Sequence, residues 1–210
     1  MSPTLIALLA LVAAYLLGSV SFAILSSWIF GLADPRSYGS KNPGATNVLR
    51  SGNKIAAIFT LLGDAAKGWL AVFLAQKYGA QYGLGQAFIG FVALAVFFGH
   101  LYPVFLKFKG GKGVATAAGV LLALDPRLGL ATLAIWLFVA LALRYSSLAA
   151  LIAAASAPLC AYFFWGSDVV LLAVGVIAMA LIGKHWQNLQ RLMAGTEPKI
   201  GAKKKAGSAR

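Results

Sequence analysis

The chain has 210 residues, 60% of them hydrophobic and 11% charged, and its mean hydropathy is +0.83. A soluble domain is roughly half apolar and about a quarter charged, so this composition excludes an ordinary soluble fold and points to an integral membrane protein. The formal charge of +13, from 18 Lys and Arg against 5 Asp and Glu, flanks apolar runs. That pattern argues against nucleic acid and for cytoplasmic loops beside anionic lipid headgroups.

A membrane-spanning helix needs about 20 mostly apolar residues. Residues 4–30, 55–76, 84–106, 147–165 and 169–183 meet or approach that requirement. The first run has no Lys or Arg before it and stays apolar through Trp28, so it reads as a retained span rather than a cleaved signal. Residues 114–143 are interrupted by Asp125-Pro126-Arg127, and proline after a charged residue favours a break. Two short helices there place Arg36, Lys41, Arg50, Lys54, the cluster at 107–112, Arg144 and the segment from Lys184 on one side. Lys77 and Arg127 face the other. A single helix would instead export Arg144 and the basic C-terminus, against the positive-inside tendency. The expected fold is therefore an all-α integral membrane protein with seven transmembrane helices, the fourth and fifth short, N-terminus out and C-terminus in. Residues 1–199 form one polytopic domain, and residues 200–210, with Lys203, Lys204 and Lys205, form a basic, disordered cytoplasmic tail. Cys160 lies inside an apolar run and has no cysteine to pair with.

Three polar segments fall on the same expected face. The first contains Ser40, Asn42, Gly44, Ala45, Thr46, Asn47 and Arg50. It is either a tight loop with a helix cap at Thr46 or Asn47, or a polar nest for a phosphate or polyol. The second reads Lys107-Phe108-Lys109-Gly110-Gly111-Lys112-Gly113 and precedes the expected fourth helix. Glycines let an anion approach the main chain, and a helix N-terminus adds unpaired N–H groups and a positive dipole end. A nucleotide loop would need Ser or Thr after the lysine, where this chain has Gly113. The third segment carries His185, Asn188 and Arg191 at three-residue steps; it is either a polar helix end at the headgroups, or His185 and Asn188 orient a substrate hydroxyl or phosphate beside Lys112.

Other ionisable residues leave their roles open. Asp64 and Lys67, three apart in the second span, suit a buried ion pair or support for the site. His100, before Tyr102 and Pro103, suits a hydrogen-bonded structural residue or a base. No His, Cys, Asp or Glu cluster has metal-ligand spacing, and nothing calls for a cofactor.

Taken together, the three segments resemble the bacterial acyl-phosphate:glycerol-3-phosphate acyltransferases of the PlsY type. The matching residues are Gly39, Ser40, Asn42, Gly44 to Asn47 and Arg50; then Gly99, His100, Tyr102 and Pro103 with Gly110 to Thr116; then His185, Asn188, Arg191 and Leu192. The resemblance implies a seven-span enzyme of the bacterial inner membrane with its active site facing the cytoplasm. It implies transfer of a fatty acyl group from acyl phosphate to the sn-1 hydroxyl of glycerol 3-phosphate, giving lysophosphatidic acid and inorganic phosphate in the first step of phospholipid synthesis. Carried over by position, the catalytic residues are Ser40, Lys112, His185 and Asn188. The substrate-binding residues are Arg50, Asn42, Thr46, Asn47, Gly110, Gly111 and Gly113. Lys112 and the glycines are expected on the acyl phosphate, and Arg50 on glycerol 3-phosphate. The His-x-x-x-x-Asp pattern of other glycerolipid acyltransferases is not matched, because Phe105 and Gln190 stand five residues after His100 and His185. The competing reading is a transporter or flippase for a phosphorylated metabolite, which would need a midplane site; Asp64 and Lys67 are its candidates. A monomer suffices for either reading, and the sequence does not fix the oligomeric state.

Overall fold

The computed structural model describes residues 1–166 and 168–201. Among them the chain is helical with no strand: α1 Pro3–Ser19, α2 Phe22–Ile29, α3 Ala45–Leu49, α4 Lys54–Gly79, α5 Gln86–Leu101, α6 Val114–Leu124, α7 Pro126–Leu143, α8 Ser146–Trp165, α9 Val169–Lys184 and α10 Trp186–Met193. Short 3₁₀ turns follow α4 and α5. Four helices or helix-plus-turn segments are long and apolar enough to cross a membrane, and the bent pairs α1–α2 and α9–α10 bring the number to six. At 11 residues, α6 is shorter than any of these, reaching about 16 Å against a hydrocarbon core of about 30 Å. Large side chains such as Phe163, Leu141 and Phe138 are exposed around the outside, as a bilayer solvent requires.

The expected first span is broken. α1 and α2 meet at a 44° bend, where Ser21 caps α2 by accepting from the Ile24 N–H at 3.4 Å. The Val20 carbonyl, freed from the helix ladder, accepts from Lys67 Nζ at 2.6 Å. The expected break at Asp125 is present: Asp125 caps α7, accepting from the Arg127 N–H at 2.8 Å, with Pro126 at the first helical position. Of the two helices it separates, α6 is short as expected. α7 is not, since its 18 residues make a membrane-crossing length.

Helix pairs approach closely through small residues. α6 lies against α4 so tightly that a Cβ on Gly119 would overlap the Ala65 carbonyl oxygen. Such small-residue contacts are how helices associate in lipid, where no hydrophobic force draws them together. They fix the start of α6, and with it the lysine-glycine loop, against α4 and α5. Ile200, the first residue of the expected tail, bonds Arg144: its N–H donates to the Arg144 carbonyl at 2.7 Å, and its carbonyl accepts from Arg144 Nη2 at 3.0 Å. Lys203, Lys204 and Lys205 lie outside the described residues.

Candidate active site

Glycine 113 sets the site's geometry. With φ at +85° it makes the left-handed turn that starts α6, and it packs against Phe97 and Leu101 of α5. No side chain caps α6, so its first-turn N–H groups remain available beside Lys112. From the sequence, the loop glycines offer their own N–H groups to an anion. In the structure the Gly111 N–H is instead donated to the His100 carbonyl at 3.2 Å. A Cβ on Gly110 or Gly111 would collide with His100. These two glycines serve close packing against the end of α5, and Lys112 stands between packed neighbours.

Lys112 donates to Asn188 Oδ1. Asn188 is held in turn by Glu197, whose Oε1 accepts from Asn188 Nδ2 at 2.6 Å and from the Ser147 hydroxyl at 2.6 Å. Glu197 Oε2 accepts from Arg191 Nε at 2.7 Å. This carboxylate is 8% exposed. Burial pushes its pKa up, but the bonds from Ser147, Asn188 and Arg191 outweigh that and hold it below the usual range. Burial pushes the Lys112 ammonium down to about 8. Glu197 opposes the shift, and the positive charges of Arg191 and Arg50 add to it. Arg50 and Arg191 therefore lie within electrostatic reach of Lys112, and the carboxylate beside it, Glu197, is already committed to three donors.

His185 sits at the 56° bend between α9 and α10 and is buried. Its Nδ1 is 2.8 Å from the Leu181 carbonyl. A carbonyl can only accept, so Nδ1 carries the proton and Nε2 of the neutral ring is left as an acceptor.

The first polar loop divides into a scaffold and an open edge. Asn47 is 2% exposed and pins the loop: it accepts from the Ser40 N–H at 2.9 Å and donates to the carbonyls of Pro35 at 2.6 Å and Tyr38 at 3.2 Å. Neither Thr46 nor Asn47 caps the helix, because Gly44 occupies that position for α3. The Thr46 hydroxyl meets the Ser146 hydroxyl at 3.3 Å, tying the loop to the start of α8. Ser40 and Arg50 are exposed and Asn42 is half-buried. The Pro43 carbonyl lies against Gly111, so the first loop and the lysine loop touch. The structure thus brings Lys112 and Asn188 into contact, with Arg50 and His185 in electrostatic range of Lys112. Ser40 and Asn42 make no bond to Lys112.

Sequence reasoning passed over Glu197 and Ser147 and left Arg191 out of the site. Glu197 was visible as one of only 5 acidic residues in a chain of charge +13. Ser147 is the second residue of α8 and carries no signal of its own.

The family model for glycerol-3-phosphate acyltransferase matches residues 8–195. The glycerol-3-phosphate acyltransferase of Dechloromonas aromatica (strain RCB) is 69% identical over 198 residues, covering 94% of this chain and 98% of that protein. That of Paraburkholderia phymatum is 61% identical, covering 96% of each. A crystal structure of PlsY (YgiH), an integral membrane glycerol 3-phosphate acyltransferase in its glycerol 3-phosphate form, superposes with a TM-score of 0.86 at 39% identity, covering 93% of this chain and 96% of that one. Its lysophosphatidic acid form gives 0.85 at 38% identity, covering 93% and 95%. The chain is an integral membrane acyltransferase and belongs to the glycerol-3-phosphate acyltransferase family.

Proposed function

We propose that the chain moves a fatty acyl group from acyl phosphate to the sn-1 hydroxyl of glycerol 3-phosphate, yielding lysophosphatidic acid and inorganic phosphate. The observation that carries this reading is that Arg50 and Arg191 act on Lys112 from close range while the one neighbouring carboxylate, Glu197, is already bonded by Ser147, Asn188 and Arg191. The surplus positive charge suits two phosphorylated substrates. The glycerol 3-phosphate and lysophosphatidic acid forms of the 39% and 38% identical neighbours support the acceptor and the product.

An acyl phosphate is a mixed anhydride with a good leaving group, so no covalent enzyme intermediate is needed. The acceptor oxygen attacks the acyl carbonyl carbon, the carbon–oxygen bond to phosphate breaks, and the electron pair leaves with the phosphate. Lys112 and the free first-turn N–H groups of α6 neutralise that growing charge, and Arg50 holds the phosphate of the acceptor. Asn188, fixed by Glu197, positions Lys112; Ser40, at the open edge of the first loop, orients the acceptor. The hydroxyl proton passes to His185 Nε2 or to the substrate's own phosphate. An apolar cavity of about 310 Å³ lined by Ile24, Leu25, Trp28, Phe105 and Leu106 offers space for acyl methylenes near the loop.

In this reading α1–α2, α4, α5, the short α6, α7, α8 and α9 are seven membrane segments of a bacterial inner-membrane protein, N-terminus out and C-terminus in. The lysine loop then faces the cytoplasm, where both phosphorylated substrates reside, and the basic loops meet anionic lipid. Replacing Lys112 with Ala is expected to cut phosphate release that depends on both substrates by about 100-fold or more. Near-wild-type turnover contradicts the proposal. His185→Gln with most activity retained assigns the proton to the substrate phosphate.

A further inference from the structure

A helix C-terminus leaves its last four carbonyls without intrahelical partners. At the end of α5 these carbonyls collect donors from distant parts of the chain. His100 O accepts from the Gly111 N–H at 3.2 Å, and Leu101 O from Lys184 Nζ at 3.2 Å. Just beyond the helix, Tyr102 O accepts from the Tyr15 hydroxyl at 2.6 Å. The His100 ring lies directly against Gly111, where a side chain would meet its Nε2 edge. On its other side, Nδ1 is 3.5 Å from Asp64 Oδ1. That oxygen pairs with Lys67 Nζ at 2.8 Å, and Lys67 also donates to the Val20 carbonyl at the α1–α2 break.

Asp64 and Lys67 are each 2% exposed and His100 is 7% exposed, and their side chains pair with one another and with the Val20 carbonyl rather than with Lys112 or Asn188. Burying an ion pair is costly, and fixing one arrangement over others is one attested use of such a pair. What this set fixes is the residue next to Lys112. We infer that His100 is a positioning residue for the lysine-glycine loop, with its ring held by Asp64 and Lys67 and braced against the α1–α2 break. Gly111 rests on His100, and Gly113 rests on Phe97 and Leu101. The intervening Lys112 is thereby presented from a bed that α5 supplies on both sides. The inference rests on the reading that Lys112 grips a substrate phosphate, where a displacement of about 1 Å costs on the order of 100-fold.

The test uses the full-length enzyme purified in detergent, with kcat, KM for acyl phosphate and for glycerol 3-phosphate, and thermal unfolding measured together. His100→Ala is expected to raise KM for one phosphorylated substrate at least tenfold, with any loss of transition-state contact from Lys112 lowering kcat in addition, while the other KM stays within threefold. Gly111→Ala places a methyl against the His100 ring. It is expected to raise the same KM at least tenfold in the wild-type background and by at most a third as much in His100→Ala. Unchanged KM values, an equal rise in both, or two effects that simply multiply would overturn the inference, because a merely structural role lowers melting without selecting a substrate. If His100→Ala does not accumulate as folded protein, His100→Gln, which keeps volume and loses the ring, carries the same criteria. A wild-type enzyme that makes no lysophosphatidic acid removes the functional reading, and this inference with it, before any variant is compared.

Discussion

Lys67 and Lys112 both serve one glycine loop, and they are treated in opposite ways. The Lys67 side chain is 1% exposed and its charge is spent inside the protein, on Asp64 at 2.8 Å and the Val20 carbonyl at 2.6 Å. Lys112 is half-buried and bonds only a neutral amide, Asn188, because Glu197 is occupied by three other donors. Both lysines bear a desolvation cost. The first is compensated from within; on the proposed reading the second is compensated by a substrate phosphate. In that reading unmatched positive charge marks the anion site, and matched charge marks the brace.

The contrast predicts different failures. Asp64→Ala strands the Lys67 charge in the core and is expected to destabilise the detergent-solubilised protein by about 3–5 kcal/mol, seen as a large fall in melting temperature. Asp64→Leu combined with Lys67→Met is expected to recover most of that loss. A double variant no better than the single one would show that the pair does more than satisfy itself. Next in size is the α4–α6 contact that sets the loop's height. Gly119→Ala is expected to cost about 1–3 kcal/mol through overpacking and to lower activity with it. Gly175→Ala in α9, where an added Cβ meets nothing within 4 Å, is expected to be neutral or to stabilise by up to about 1 kcal/mol.

On activity rather than stability, the contrast predicts a pH limb that belongs to Lys112. Its pKa in the unliganded enzyme is lowered to about 8, so it is mostly protonated at pH 7 and mostly neutral at pH 9. A cationic phosphate ligand is lost as pH rises, and kcat/KM is expected to fall about tenfold per pH unit above that value. Glu197 raises the Lys112 pKa, so Glu197→Gln is expected to move the limb to lower pH. A limb that stays in place in Glu197→Gln would detach it from Lys112.

Much of this arrangement was readable before the fold was seen, for identifiable reasons. Long apolar runs such as α4 and α8 declare themselves by length, and Asp125-Pro126 announces a break because proline cannot continue the preceding turn. The α1–α2 bend was passed over: Gly18, Ser19 and Ser21 interrupt the apolar run and such Gly/Ser pairs accompany kinks, while the bond from Lys67 to Val20, 47 positions away, shows only in the fold. The break at Asp125 was read in place, and it leaves α6 with 11 residues and α7 with 18, so only the first of the two is short. Around the site, Lys112, Asn188 and His185 were legible as chemistry placed on loops and a helix end. Glu197 was not, because its importance lies in gathering three partners that only folding brings together. Nor did the glycines reveal their use. A Gly-Gly pair reads as room for a ligand, and here Gly110 and Gly111 make room for His100.

The central claim is that the unmatched charge at Lys112 serves acyl transfer rather than passage of a phosphorylated metabolite across the bilayer. The most direct measurement supplies purified protein in detergent, with no compartment to cross, with acyl phosphate and glycerol 3-phosphate, and follows both products. The account predicts lysophosphatidic acid and inorganic phosphate in equal amounts, each dependent on both substrates. Folded protein that forms neither product in detergent, yet moves a phosphorylated metabolite across sealed vesicles, would contradict it.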